Sequence, residues 1–237
     1  MKEKIYTVPV NDAFAADSEC PVCAMFEQLE NDAIEYTMGP SYMEDDIRAV
    51  TDKKGFCQKH IKKIYEQNNR LGYALVMKTH MDYVIKTIES YNQDRGTGKS
   101  LLKKGKESSV CSYIEELDSS CFVCDKIADT IERYVDTIFY MYKHDNEFKK
   151  TLSGCKGICT NHYGLLMKKA SEKLGGGDYT EFTELITSLY LDNMKRVRDD
   201  VEWFINKFDH KYADAPWKNA KDSLVRATLK DTGCKLS

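Results

Sequence analysis

Residues 119–142 read SSCFVCDKIADTIERYVDTIFYMY. Ile127, Ile131, Tyr134, Val135, Ile138 and Tyr142 recur there at steps of 4, 3, 1, 3 and 4, the spacing of one face of an α-helix. The stripe opens on Cys121-Phe122-Val123-Cys124, two thiols about one helical turn apart, and Ser119 and Ser120 offer a capping signal just before it. The pattern is already present 101 residues earlier. There Cys20-Pro21-Val22-Cys23 leads into Phe26, Leu29, Ala33, Ile34 and Met38, and Pro21 suits a first helical position, where its missing N–H costs nothing.

Working outward, each pair has a distant companion. Gly55-Phe56-Cys57-Gln58-Lys59-His60 follows the first pair, and Gly157-Ile158-Cys159-Thr160-Asn161-His162 follows the second. Cys159 and His162 lie 102 residues after Cys57 and His60. Six matched positions with a single insertion mark an internal duplication. Short helices are expected over Ser41–Thr51 and Asp145–Leu152, and further ones open at Cys57 (to Gln67) and at Cys159 (to Leu174). Ala74, Met77, Met81, Val84, Ile85 and Ile88 predict a helix over Leu71–Asn92. The stripe from Phe182 to Phe208 predicts a longer one over Tyr179–Tyr212, stopped by Pro216, with a last short helix starting near Asp222. Ile5–Val10 is the one candidate strand. The fold class is therefore all-α: a duplicated, metal-pinned helical unit packed as a pseudo-twofold bundle.

Composition agrees. The 237 residues are 42% apolar and 31% charged, enough for a core and a solvated surface, and only 4 prolines and 13 glycines leave too few turns for a sandwich or barrel. No apolar run approaches the ~20 residues of a membrane span. The opening MKEKIYTVPVNDAF has no apolar h-region, so no secretory signal is expected and the cytoplasm is the expected compartment. The expected domains are residues 1–95, a basic linker over 96–110, and residues 111–237 with a C-terminal extension. Around the linker, residues 94–110 carry a net charge of +3. Gly96-Thr97-Gly98-Lys99-Ser100 resembles the end of a P-loop, but Gln93 stands where the earlier glycine belongs and no strand precedes it.

The chemistry lies in the cysteines. Cys20, Cys23, Cys57 and His60 form one set, and Cys121, Cys124, Cys159 and His162 the other. Three thiolates and an imidazole are the donor count of a closed structural zinc site, so two Zn²⁺ per chain are expected; an iron–sulfur centre is the alternative. Ligand pairs at helix N-termini would have their thiolates favoured by the helix dipole. The bland reading of the same residues is a set of buried small hydrophobes with a core histidine. Cys111, Cys155 and Cys234 have no counterparts and read as spare thiols, with Cys155 near enough to Cys159 to compete. The segment Trp203–Trp217, with Asp209, His210 and Asp214, reads either as chain folding back on the core or as a polar-aromatic pocket able to move protons.

The paired modules, with Lys207-Phe208-Asp209…Pro216-Trp217 and Lys221-Asp222-Ser223, resemble a family of uncharacterised bacterial proteins over nearly the whole chain. Members are sometimes labelled transporter solute-binding proteins. This sequence gives that label no support, lacking a lipoprotein cysteine near its start and an alternating βα pattern. The resemblance implies a duplicated, cysteine-rich helical protein with no established activity.

Two functions follow from the residues. The first is a zinc-stabilised helical protein that binds a protein or small-molecule partner without a catalytic site. The alternative is a thiol-based redox protein or metal/redox sensor using the Cys-x2-Cys pairs. A membrane partner is not expected, and the net charge of −3 argues against nucleic acid.

Overall fold

Eleven α-helices and two short 3₁₀ turns, with no strand, account for the regular structure of the described residues, 4–96 and 105–236, in a computed structural model. The helices come as one series of five, repeated. The first is α1 (Lys4–Ala15), α2 (Pro21–Met38), α3 (Asp45–Lys54), α4 (Gln58–Glu66) and α5 (Arg70–Gly96). The second is α6 (Gly105–Ser119), α7 (Phe122–His144), α8 (Asn146–Gly154), α9 (Thr160–Lys173) and α10 (Gly176–Asn206). Only α11 (Ser223–Thr232) lacks a counterpart. The fold is all-α, and the duplication read from four cysteine pairs extends to the order of the helices.

Several expectations need correction. Ile5–Val10 is not a strand: it lies in α1, whose Val10 and Phe14 are buried four residues apart while Ile5 and Val8 face solvent. That is a helical face, with the Phe14 ring edge-on to Phe148 of α8 at 5.2 Å. The supposed linker is helical at both ends, to Gly96 and from Gly105, and α6 was not foreseen at all. Most of the P-loop-like run falls at 97–104, outside the described residues. Ser119 and Ser120 do not cap α7; Ser119 ends α6, and Ser120 Oγ donates to the carbonyls of Lys54 and Leu117. The helix expected to run to Tyr212 stops at Asn206, ten residues before Pro216. Lys207 Nζ turns the chain there by donating to the carbonyls of Tyr212, Ala213 and Ala215 at 2.6–2.7 Å.

The chain divides into two compact units that do not follow the sequence halves. Unit one comprises residues up to Glu27 and from Thr130 onward; unit two is Gln28–Asp129. Unit one holds α1, the first turns of α2, most of α7, and α8 to α11. Its core gathers Phe139, Tyr142 and Phe148 with Phe182, Ile186 and Leu189 of α10, the Phe139 and Tyr142 rings standing 5.0 and 4.9 Å from Phe182. Asp145 starts α8 by accepting the N–H groups of Glu147 and Phe148, which satisfies two otherwise unpaired donors. α11 folds back on α9 and α10, burying Ala220 and Lys230.

Unit two holds the rest of α2, a 3₁₀ turn at Pro40–Met43, α3 to α6 and the start of α7. Its core is smaller: Leu29, Ala33, Ile34 and Met38 of α2, Ile64, Val76 and Phe122. The apolar stripe expected along α5 is only partly used. Met77, Val84 and Ile88 are half-buried and Ala74, Met81 and Ile85 exposed, while Val76, outside that stripe, is buried.

Candidate metal centres

Each ligand pair owes its geometry to a helix start. Cys20, Cys57, Cys121 and Cys159 all precede a first helical residue, and their carbonyls accept the N–H of Ala24, Ile61, Asp125 and Tyr163 at 2.8–3.1 Å. Each is thus an N-cap, and its companion three residues on stands in the first turn. N-cap and third-residue side chains converge over a helix N-terminus, as they do in a capping box. The repeat extends to backbone angles: Cys57 has φ −68°, ψ 164°, and Cys159 φ −74°, ψ 162°. Neither sulfur caps its own helix, so both remain available to a metal. The glycines two residues earlier adopt positive φ, 61° at Gly55 and 88° at Gly157, in the region that L side chains rarely enter. A Cβ there would press into the His80 ring or the Asn193 side chain.

The four pairs do form two four-donor clusters, but the partners are exchanged relative to the sequence grouping. In unit one, Cys20 and Cys23 meet Cys159 and His162; in unit two, Cys57 and His60 meet Cys121 and Cys124. The expected sets Cys20, Cys23, Cys57, His60 and Cys121, Cys124, Cys159, His162 are therefore wrong. Each Cys-x2-Cys pair of one half closes on the Cys-x2-His pair of the other.

In both clusters the donor atoms lie within 4.8 Å of one another. Cys23 Sγ stands 3.6 Å from Cys159 Sγ, and His162 Nδ1 lies 3.2–3.5 Å from all three sulfurs of its cluster. In unit two His60 Nδ1 is 3.3 Å from each of Cys57, Cys121 and Cys124, and Cys57 Sγ is 3.9 Å from Cys124 Sγ. A tetrahedral ion with metal–sulfur and metal–nitrogen bonds of about 2.3 and 2.0 Å sets sulfurs about 3.8 Å apart and sulfur and nitrogen about 3.5 Å apart. Donor type, number and spacing all fit, and both clusters could hold a metal ion.

Electrostatics point the same way. In unit one, hydrogen bonding to Cys20 and Cys23 lowers the Cys159 pKa far below the usual thiol range, while hydrogen bonds to Cys159 and Cys20, with burial, drive Cys23 far above it. Burial opposes the charged His162, but its contacts with Cys159 and Cys20 prevail and raise it to about 9. In unit two, burial opposes ionisation of Cys57, yet the His60 N–H and the adjoining thiols outweigh it and lower the pKa. Desolvation and Cys121 push Cys124 up to about 12. One thiol in each cluster takes the negative charge at its neighbours' expense, because adjacent thiolates repel. A divalent cation would remove that conflict.

Outside the donors the two clusters differ. The His60 Nε2 meets Glu30 Oε1 at 2.9 Å, and Lys59 and Lys63 approach the same carboxylate at 2.6 and 2.5 Å. Glu30 is buried, which by itself would raise its pKa, but those three partners hold it at about 2. Burial lowers the His60 pKa against the pull of Glu30. An anionic partner on the far ring nitrogen fixes which nitrogen faces the metal and strengthens it as a ligand. In unit one, His162 instead stacks on Phe26, ring centroids 5.1 Å apart. There Glu19, directly before Cys20, is approached by Arg196 at 2.5 Å, Lys230 at 3.3 Å and Arg226 at 4.0 Å.

Glu30, Glu19 and Lys230 had escaped the sequence reading. Glu30 carried a signal, a carboxylate on the apolar face formed by Phe26, Ala33 and Ile34; the other two carried none. Cys111 and Cys234 are exposed, and Cys155 joins neither cluster, its sulfur lying 3.9 Å from the Gly157 carbonyl. The acid–base candidates of the C-terminal segment, Asp209, His210 and Asp214, are all exposed. His210 is 91% exposed on a 3₁₀ turn, touching only Asp209 at 3.1 Å among charged partners, while Trp203 donates to the Pro216 carbonyl and Phe204 packs on Trp217.

No helix among the described residues is long and apolar enough to cross a membrane. Neither the curated proteins nor the solved structures contain a match to the chain. One family model covers it almost from end to end, residues 1–236. With its repeated helices and paired Cys/His clusters, the chain belongs to the Family of unknown function (DUF6062).

Proposed function

We propose that the eight residues Cys20, Cys23, Cys159, His162, Cys57, His60, Cys121 and Cys124 ligate two Zn²⁺ ions, and that the protein is a zinc-stabilised helical binding protein without a catalytic site. The observation that carries this reading is the closure of each cluster: three sulfurs and one imidazole nitrogen, from segments remote in sequence, at tetrahedral spacing around one point. Four protein donors leave no open coordination position, the mark of structural rather than catalytic zinc. Soft thiolates favour Zn²⁺ over harder ions, and keeping them reduced fits the cytoplasm. Two exposed apolar residues, Ile205 in the last turn of α10 and Phe208 just beyond it, give a partner something to grip.

Metal analysis of protein purified without added metal, followed by melting before and after chelation, tests the reading. We expect two zinc ions per chain and a lower melting temperature once they are removed. A melting curve unchanged by verified removal would sink the structural role. Iron with a visible charge-transfer spectrum, or no metal with freely titrating thiols, would favour the cluster or redox alternatives.

A further inference from the structure

The two clusters share donors and backbone geometry but are enclosed very differently. In unit one, the C-terminal segment, which has no counterpart in the first half, packs against the donors, of which Cys20 and Cys159 are buried, Cys23 and His162 half-buried and none exposed. α11 ends at Gly233 (φ 72°), so placed that a Cβ on it would stand 3.6 Å from Cys159 Sγ and 3.9 Å from Cys23 Sγ. Asn161 Nδ2 donates to the Thr232 carbonyl at 2.9 Å, and Lys235 pairs with Glu27 at 2.6 Å. Beneath this cover Lys230, only 1% exposed, donates its ammonium to the carbonyls of Glu19 and Lys156. Those residues immediately precede the two ligand segments, Cys20–Cys23 and Gly157–His162, so one buried cation fastens both.

In unit two the corresponding segments are joined by contacts of their own, with no such cover among the described residues. Ser120 Oγ donates to the Lys54 carbonyl, Phe122 N–H to the Gly55 carbonyl at 3.1 Å, and Lys54 pairs with Asp125. Among the described residues no helix caps the sulfurs there: Cys124 is exposed and Cys57 half-buried, while Cys121 and His60 are buried. An incoming ligand thus meets one sulfur in solvent and three donors held in place behind it.

Building on the zinc reading above, we propose that the cluster of Cys57, His60, Cys121 and Cys124 is an exchangeable metal site. The protein takes up and hands on a thiophilic divalent ion there, and the unit-one ion, with no exposed sulfur and α11 against it, exchanges more slowly. The step is ligand substitution. An incoming thiolate or chelating nitrogen bonds to the ion, the bond to Cys124 Sγ breaks, and the released thiolate takes a proton from water. No electron is transferred. The partner is a thiol- or imidazole-bearing metal acceptor, and Cys124 is where it attacks.

The test uses the full chain loaded with two zinc ions, their number measured first, and treated with the chromophoric chelator pyridylazoresorcinol. Iodoacetamide labelling read by mass spectrometry reports which cysteines are freed. We expect two-step release, the first step faster by about 10- to 100-fold, the range in which outer-shell groups alter metal sites. Cys57, Cys121 and Cys124 should be alkylated while Cys20, Cys23 and Cys159 remain protected. Lys230→Met should speed the slow step alone. Lys235→Ala, which changes only an exposed contact, provides a second variant with the same expected direction should Lys230→Met fold poorly. One-step release, or earlier labelling of Cys20, Cys23 and Cys159, overturns the proposal and leaves the two-zinc reading standing. A chain that binds no zinc overturns both.

Discussion

At the scale of single residues, the two clusters are built from the same donors and tuned by different neighbours. Position 131, the counterpart of Glu30 at the 101-residue offset, is Ile131. The carboxylate behind the unit-two histidine is therefore not repeated at the matching position of the second half. Glu30→Gln keeps the shape of that side chain and removes its charge. We expect it to weaken metal binding at the unit-two cluster by about 10- to 100-fold, the usual cost of losing such a partner. Chelator competition should show the loss there with the unit-one ion unaffected, and equal affinity in the variant and the natural chain would dismiss Glu30 as a tuning residue. The donors themselves were legible from the sequence because thiols and imidazoles at a three-residue spacing carry their chemistry with them. Lys230 was not, since nothing local separates a lysine that buries its ammonium from one that leaves it in water.

At the scale of elements, the sequence carried helix identity better than helix partnership. Apolar periodicity and the positions of Gly55, Gly157 and Asp145 place most helices within a few residues. It failed where a tertiary contact made the decision, as when Lys207 turns the chain after Asn206 or α1 packs a proline-containing helix against α8. The exchange of ligand pairs is the clearest case. A duplicated motif offers each Cys-x2-Cys two chemically equivalent Cys-x2-His partners, and spacing cannot rank them. The exchange has a direct experimental consequence. A fragment of residues 1–95 contains Cys20, Cys23, Cys57 and His60, half of each cluster, and a fragment of residues 111–237 contains the other halves. Neither can build a native site alone: any Co²⁺ it takes up, read by the visible bands of a tetrahedral thiolate site, must sit on the mismatched four donors of one half, with weaker affinity than a native site. Mixing the fragments should restore two native sites with a sharp stoichiometric end point. Two cobalt sites filled by the separate fragments, with no affinity gained on mixing, would contradict the exchanged pairing.

At the scale of the whole molecule, metal binding is coupled both to protons and to folding. Cys124 is held up at about 12 and Cys23 higher still, so both keep their protons at neutral pH in the metal-free protein. An ion that takes them as thiolates must displace those protons. Binding therefore weakens as pH falls, and the stability that the ions lend by binding only the folded chain fades in the same direction. Calorimetric titration in buffers of different ionisation enthalpy should show net proton release at each site; no dependence on buffer would exclude thiolate ligation. The exchanged pairing also sets an order of events during synthesis. Cys20 and Cys23 emerge from the ribosome first, yet their native partner Cys159 lies 136 residues beyond Cys23. The first half meanwhile presents Cys57 and His60, four times closer along the chain, and two doublings of loop length amount to about 1.2 kcal/mol in favour of the nearer closure. A nascent chain that meets zinc early can thus fasten Cys20 and Cys23 to the wrong histidine pair and must later release them. Refolding with zinc present from the outset should be slower than refolding with zinc added afterwards, so the timing of metal delivery becomes part of how this protein reaches its native form.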